Sequence, residues 1–350
     1  MFSLSPLPRN LEASFRDLGS ERESARAGAV RDVVRHAAGD DAVRVRAIAA
    51  LERALRADTS PAVRSASAVA LADLRAHEAL STLLVAVEDD DAHVRQMALA
   101  ALGEIGDTRA APRLERALGD ARPEVRYQAI MAYARVVRDD PPAVASALVR
   151  GLGDADPAIR YVALRMAEEY GQGGEPLRDP RIEACAERLA QSADDAVAVV
   201  AGLYLAGLGR AAGCKIVLDV VAEERDTPEL EDEQACVELA GELAMRDAIP
   251  HLERRVWGRR RALRTLFAWG AGDRASCAFH ARIALARLGH ARARAEILAD
   301  LRASRRETRE AAVVAAGRAR LREARPTLES LGGTVDAALV REALVRLAVS

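Results

Sequence analysis

At 350 residues, with a formal net charge of −2, the chain could hold two ordinary globular domains or one long repeat array. Aromatics make up 3% and hydrophobics 50%, so the core is aliphatic and small, as closely stacked helices require. No apolar run approaches the roughly 20 residues of a membrane span. The opening MFSLSPLPRN lacks a basic stretch followed by an apolar one, so no signal peptide and a cytoplasmic setting are expected.

Residues 1–20 hold two prolines and little periodicity and read as an N-terminal arm. From Glu21 to Ala38 a helix is predicted with Ala25, Ala29, Val33 and Val34 inward, capping the rest. Asp41–Leu55 and Pro61–Leu74 read as the first complete helix pair.

The clearest unit follows, from Asp91 to Leu118. Val94, Met97, Ala98, Ala101, Leu102 and Ile105 share one face of a helix. Asp91 stands where a carboxylate caps free N–H groups, and Gly106-Asp107 ends the helix. Pro112 fits the first turn of a second helix, whose stripe is Leu114, Ala117 and Leu118. Neither helix buries enough alone, so such pairs must stack.

The unit recurs. Val63-Arg64, Val94-Arg95, Val125-Arg126 and Ile159-Arg160 follow one another at 31, 31 and 34 residues. GEIGDTRAAPRL from Gly103 matches GELAMRDAIPHL from Gly241 without a gap. Ala284-Leu285 with Leu288-Gly289, and Gly317 with Pro326, repeat the same spacing.

On Asp91, Val94-Arg95, Ala98, Ala101-Leu102-Gly103, Ile105-Gly106-Asp107 and Leu114, the unit resembles the bacterial HEAT-like repeat named after phycobilisome lyases. The resemblance runs from about Glu21 to the end. It implies an all-α fold, an α-solenoid or superhelix of stacked antiparallel helix pairs over residues 21–350, about nine or ten of them. It implies no single activity, because this repeat serves lyases, a hydroxylase, DNA glycosylases and plain scaffolds. It also suggests that Arg64, Arg95, Arg126 and Arg160 pair with turn aspartates such as Asp91, Asp120 and Asp154 of adjacent units. That reading is preferred to an anion-binding row of cations.

After Tyr170 the pattern breaks. Gly171–Pro176 and Arg178-Asp179-Pro180 make an irregular loop, and the next anchor, Val197, has Ala198 where an arginine stood. Glu223–Glu233 reads as an acidic, solvated connection.

The largest departure comes next. Asp232 and Cys277 hold equivalent positions 45 residues apart, so about 14 residues are added, roughly residues 257–272. The insertion and its flanks carry Arg254, Arg255, Trp257, Arg259, Arg260, Arg261, Arg264, Phe267, Trp269 and Arg274. Tryptophan and arginine are the types enriched at interface hot spots, so these ten residues are the candidate partner-binding set. The competing reading has Leu263, Leu266 and Phe267 folding back on the stack. Residues 251–350 hold 21 Arg against 10 Asp and Glu, whereas residues 1–250 are acidic. This asymmetry suggests an anionic partner at the C-terminal end or head-to-tail self-association.

Catalytic and metal signatures are not found. His77-Glu78 is the only His-Glu dipeptide, so the hydroxylase di-iron pattern is absent. No histidines stand at i, i+4 with a cysteine cluster for zinc. Cys185, Cys214, Cys236 and Cys277 are widely spaced and read as buried thiols. Trp269 and Asp273 invite comparison with HEAT-like DNA glycosylases, but Gly270 and Gly272 should break a helix there. The expected function is a non-catalytic, cofactor-free scaffold that binds another protein with an acidic surface through its concave face and the Arg/Trp-rich insertion. Nucleic-acid binding is the second reading, and a lyase-type chaperone for a cofactor-bearing protein is the third.

Overall fold

The protein is seen in a computed structural model that describes residues 10–171, 175–258 and 271–348, the last segment with side chains from Cys277 onward. Twenty α-helices and no strand are found among the described residues. The fold is the all-α solenoid that the repeat implies. The chain divides into two compact units, residues 1–167 and 168–350.

In the first unit α1 (Leu11–Asp17) precedes α2 (Glu23–Ala37), α3 (Asp41–Ala57), α4 (Pro61–Asp73), α5 (Leu80–Ala86), α6 (Ala92–Ile105), α7 (Ala111–Ala117), α8 (Pro123–Val136), α9 (Pro141–Leu152) and α10 (Pro157–Glu168). The first helices of successive repeats, α2, α4, α6 and α8, pack on one another, while α3, α5 and α7 lie against the first helix that follows. The anchors Val63, Val94, Val125 and Ile159 are all buried. Asp91 caps α6 through the N–H groups of His93 and Val94, as its position predicts.

The structure adds detail at the start of the chain. The stretch read as an arm includes α1, whose Phe15, with Leu18 at its C-cap, packs against Val33, Ala37 and Ala47. The guanidinium of Arg46 sits 4.0 Å over the Phe15 ring and pairs with Glu12, which ties α1 to α3. The repeat phase also starts one helix earlier. Arg26 on α2 holds the place of Arg64 and pairs with Asp58, so α2 and α3 form the first repeat. Ala25 replaces the valine of the Val-Arg signature, which hid this rung in the sequence.

The second unit contains α11 (Pro180–Leu189), α12 (Asp195–Gly207), α13 (Ala211–Val221), α14 (Leu230–Glu242), α15 (Ile249–Trp257), α16 (Ala271–Arg287), α17 (Ala291–Asp300), α18 (Arg306–Arg318), α19 (Arg325–Ser330) and α20 (Ala337–Ala348). The irregular loop before α11 is pinned from below: Tyr204 on α12 is fully buried and donates to the Leu177 carbonyl at 2.7 Å. Gly241 lets α14 and α16 touch, since a Cβ there would stand 2.8 Å from the Ala284 backbone.

The helix-breaking role expected of Gly272 is not observed. Helix α16 begins at Ala271 and takes Gly272 into its first turn. Backbone N–H groups there have no intrahelical partner to lose, so glycine costs less than in a helix interior. The added segment is therefore bounded by Trp257 at the end of α15 and Ala271 at the start of α16.

Candidate functional site

The arginine row runs through the first unit as a built ladder. Arg64 grips Asp89, Arg95 grips Asp120 and Arg126 grips Asp154, each through Nε and Nη2 at 2.8–3.1 Å. The Nη1 of each reaches back to a turn carbonyl, of Asp58, Asp89 and Asp120 respectively. Asp120 and Asp154 were expected as partners. Asp91 was too, but Asp89 takes the pairing because Asp91 is occupied in capping α6. Arg160 makes the two backward bonds, to the carbonyls of Asp154 and Ala155, with no carboxylate pairing among the described residues. Four of the five rungs are thus closed on themselves, which makes this face structural.

The candidate set around the added segment divides. Arg259, Arg260, Arg261, Arg264, Phe267 and Trp269, together with the Arg274 side chain, lie outside the described residues. Arg254, Arg255 and Trp257 are described, and the three differ. Arg255 has a side chain only 7% exposed. It donates to the carbonyls of Val220 at 2.8 Å and Val221 at 3.0 Å and pairs with Glu233. A guanidinium at the last carbonyls of α13 meets the negative helix end, so Arg255 is taken up by the fold. Arg254 is exposed and lies beside His251, with Nη2 and Nδ1 2.5 Å apart.

Trp257 is half-buried in a small box built by α17. Its Nε1 donates to the Glu296 carboxylate at 3.2 Å, and the Arg292 guanidinium lies 4.2 Å from its ring centre. The His290 ring is 5.3 Å away at 33°, and His290 Nε2 lies 2.8 Å from Glu253 Oε1. Arg292 also bonds Glu296 at 2.9 Å. The box closes around the indole, so Trp257 anchors the last turn of α15 to the next repeat. Nothing in the sequence pointed to it, because Glu253, His290 and Glu296 meet only after folding.

A polar row crosses α14, α16 and α18. Glu238 pairs with His280 and with Arg318, and Glu233 accepts from the Cys277 thiol at 3.5 Å. Burial raises the Glu238 carboxyl, but the His280 hydrogen bond and the Arg318 charge reverse this and hold it below the usual carboxylate value. The Cys236 thiol is pushed up, first by burial and then by the charge of Asp232, so it stays protonated. Cys236 and Cys277 are buried as expected, whereas Cys185 and Cys214 are half-exposed. Among the described residues no group of three His, Cys, Asp or Glu stands close enough to hold a metal ion.

The family described as HEAT repeats matches residues 48–134. No curated protein matches the sequence. Among solved structures, the karyopherin Kap121p bound to the extreme C-terminus of the protein phosphatase Cdc14p aligns with a TM-score of 0.52 at 12% identity, over 97% of this chain and 41% of that one. The complex of CpcE and CpcF of phycocyanin lyase from Nostoc sp. PCC7120 aligns at 0.42 and 19%, over 72% of this chain and 96% of that one. A designed armadillo repeat protein gives 0.40 and 23%, over 57% of this chain and all of that one.

Proposed function

We propose that this HEAT-like repeat protein is a cytoplasmic, non-catalytic scaffold that binds another protein through its added segment. The contact set is Arg254, Arg259, Arg260, Arg261, Arg264, Phe267, Trp269 and Arg274, with an acidic surface opposite. The observation that carries this reading is the fixing of the segment's root. Arg255 and Trp257 lock the end of α15, which the added segment follows in the chain, to α13 and α17. The excess of arginine in residues 251–350 supplies the complementary charge.

The test is capture from native lysate by wild type and by a variant with Arg259, Arg260, Arg261 and Arg264 all changed to Glu. The variant should keep its helical circular dichroism and lose a nuclease-resistant protein partner. A folded variant that captures the same partner at the same yield defeats the reading. Nuclease-sensitive capture with co-purifying A260 supports nucleic-acid binding, in which arginines contact phosphates and Trp269 stacks on bases.

A further inference from the structure

Among the described residues the ladder of the first unit reappears once in the second, with a changed partner. Arg309 on α18 makes the two backward bonds of a ladder arginine, Nη1 to the carbonyls of Ala303 and Ser304, both at 2.8 Å. In two rungs of the first unit the paired aspartate stands 25 residues after the arginine. Twenty-five residues after Arg309 comes Thr334, which offers only its carbonyl to Nη2, at 3.0 Å. Arg309 Nε is buried and has no acceptor.

A ladder aspartate does two jobs. Asp89 and Asp120 also accept the backbone N–H two residues on, at 2.9 Å. At the end of the second unit Glu310 does that job: it accepts from the Asp336 N–H at 3.1 Å and is held by Arg306 at 2.8 Å. Among the described residues no carboxylate does the other job, which is to neutralise the arginine.

An open cleft of about 560 Å³ lies in front of Arg309. Arg302, Thr327, Ser330 and Thr334 share its wall with Arg309, and no carboxylate lines it. Arg302 is held loosely, by bonds of 3.3 Å to Thr327 Oγ1 and 3.5 Å to the Leu298 carbonyl.

We propose that this cleft binds a carboxylate, which pairs with the Nε and Nη2 edge of Arg309 as Asp120 pairs with that of Arg95. To do so the ligand displaces the Thr334 carbonyl, which shares that edge and follows Gly332-Gly333. The ladder supplies the reason for a carboxylate, since a planar two-oxygen group is what this guanidinium edge holds in the other rungs. The site shares no residue with the added segment and stands independently of the proposed function.

The probe is a fluorescent tetrapeptide amide, Gly-Asp-Ala-Arg, copying residues 119–122, titrated into the full-length protein by anisotropy. Acetate and inorganic phosphate serve as competitors. The Asp peptide should bind, its Asn counterpart should not, and Arg309→Lys should weaken binding ~tenfold because a point charge replaces a two-pronged donor. Preference for the peptide over acetate assigns the source to a protein side chain, whereas equal competition by acetate assigns it to a small acid. Thr334→Asp should complete the rung from within, raise the melting temperature and abolish peptide binding, while Thr334→Asn should do neither. Equal binding of Asp and Asn peptides, displacement by phosphate as effective as by acetate, or undiminished binding by Thr334→Asp would each overturn the proposal.

Discussion

Arg95 shows how much one side chain can hold. It bridges the carbonyls of Asp89 and Asp90 behind it and the Asp120 carboxylate ahead, and both charged partners are about 15% exposed. Removing one partner of such a pair strands the other, so Arg95→Ala should cost about 2–4 kcal/mol in urea unfolding, more than an exposed pair is worth. The ladder also sets an acid limit. Burial raises the carboxyls of Asp58, Asp89 and Asp120, yet the arginine hydrogen bonds and the turn N–H groups more than reverse it. At Asp154 the Arg126 bond is the largest influence, and at Asp107 the Arg109 bond brings the carboxyl down to about 2. A folded-state pKa below the unfolded one stabilises the fold fully above the ordinary aspartate value of 3.8 and is lost as pH falls below it. The melting temperature should therefore hold down to about pH 4 and drop steeply beneath it. A variant with Asp89 and Asp120 both changed to Asn should start lower at neutral pH and show a shallower drop. Parallel curves for the two proteins would remove the ladder from the explanation. Tyr204 offers a simpler case: Tyr204→Phe strands the buried Leu177 carbonyl and should cost about 1–3 kcal/mol.

At the scale of the helix pair, one closing pattern repeats with unequal quality. Gly106, Gly209 and Gly289 end their helices with φ of 73°, 75° and 85°, and Arg75, Ala244 and Arg320 hold the same place at 47°, 54° and 53°. At Ala244 the chain still makes the closing bond, from the Met245 N–H to the Ala240 carbonyl, but with a Cβ in the left-handed region. Ala244→Gly and Arg320→Gly should each raise stability by about 0.5–1 kcal/mol, read from denaturation midpoints. Gly241→Ala, by contrast, forces α14 away from the Ala284 backbone and should destabilise by about 1–3 kcal/mol. The sequence revealed most of this level. Helical spacing, turn residues and the Val-Arg beat depend on neighbours along the chain, so the units around Asp91, Val125 and Ile159 could be read directly. Rungs whose anchor had drifted, Ala25-Arg26 and Thr308-Arg309, were missed, because the arginine's role depends on a residue in the following repeat. The box around Trp257 was illegible for the same reason: Glu296 is 39 residues away, and only packing brings it to the indole. The place of Arg255 at the end of α13 was not legible, because a buried arginine at a helix end has the same letter as an exposed one.

At the scale of the whole chain, charge is the property that local structure does not consume. The first 250 residues hold 43 Asp and Glu against 30 Lys and Arg, and the last hundred reverse the sign. Many of the positive groups described there are paired, as Arg282 is with Asp300, Arg287 with Glu242 and Arg294 with Glu323. Pairing shortens their individual reach and leaves the net excess, which acts over about one Debye length, roughly 10 Å at 0.1 M salt. An acidic protein partner should therefore be steered toward residues 251–350, with an association rate that falls about tenfold between roughly 20 mM and 300 mM salt and a dissociation rate that changes far less. Nucleic acid behaves differently, because a phosphate track releases counterions in proportion to the contacts made and equilibrium affinity itself falls steeply with salt. Stopped-flow association and dissociation measured on the captured partner across that range separates the two. A salt effect carried by the association rate supports protein recognition, and one carried equally by dissociation moves the arginines onto phosphates.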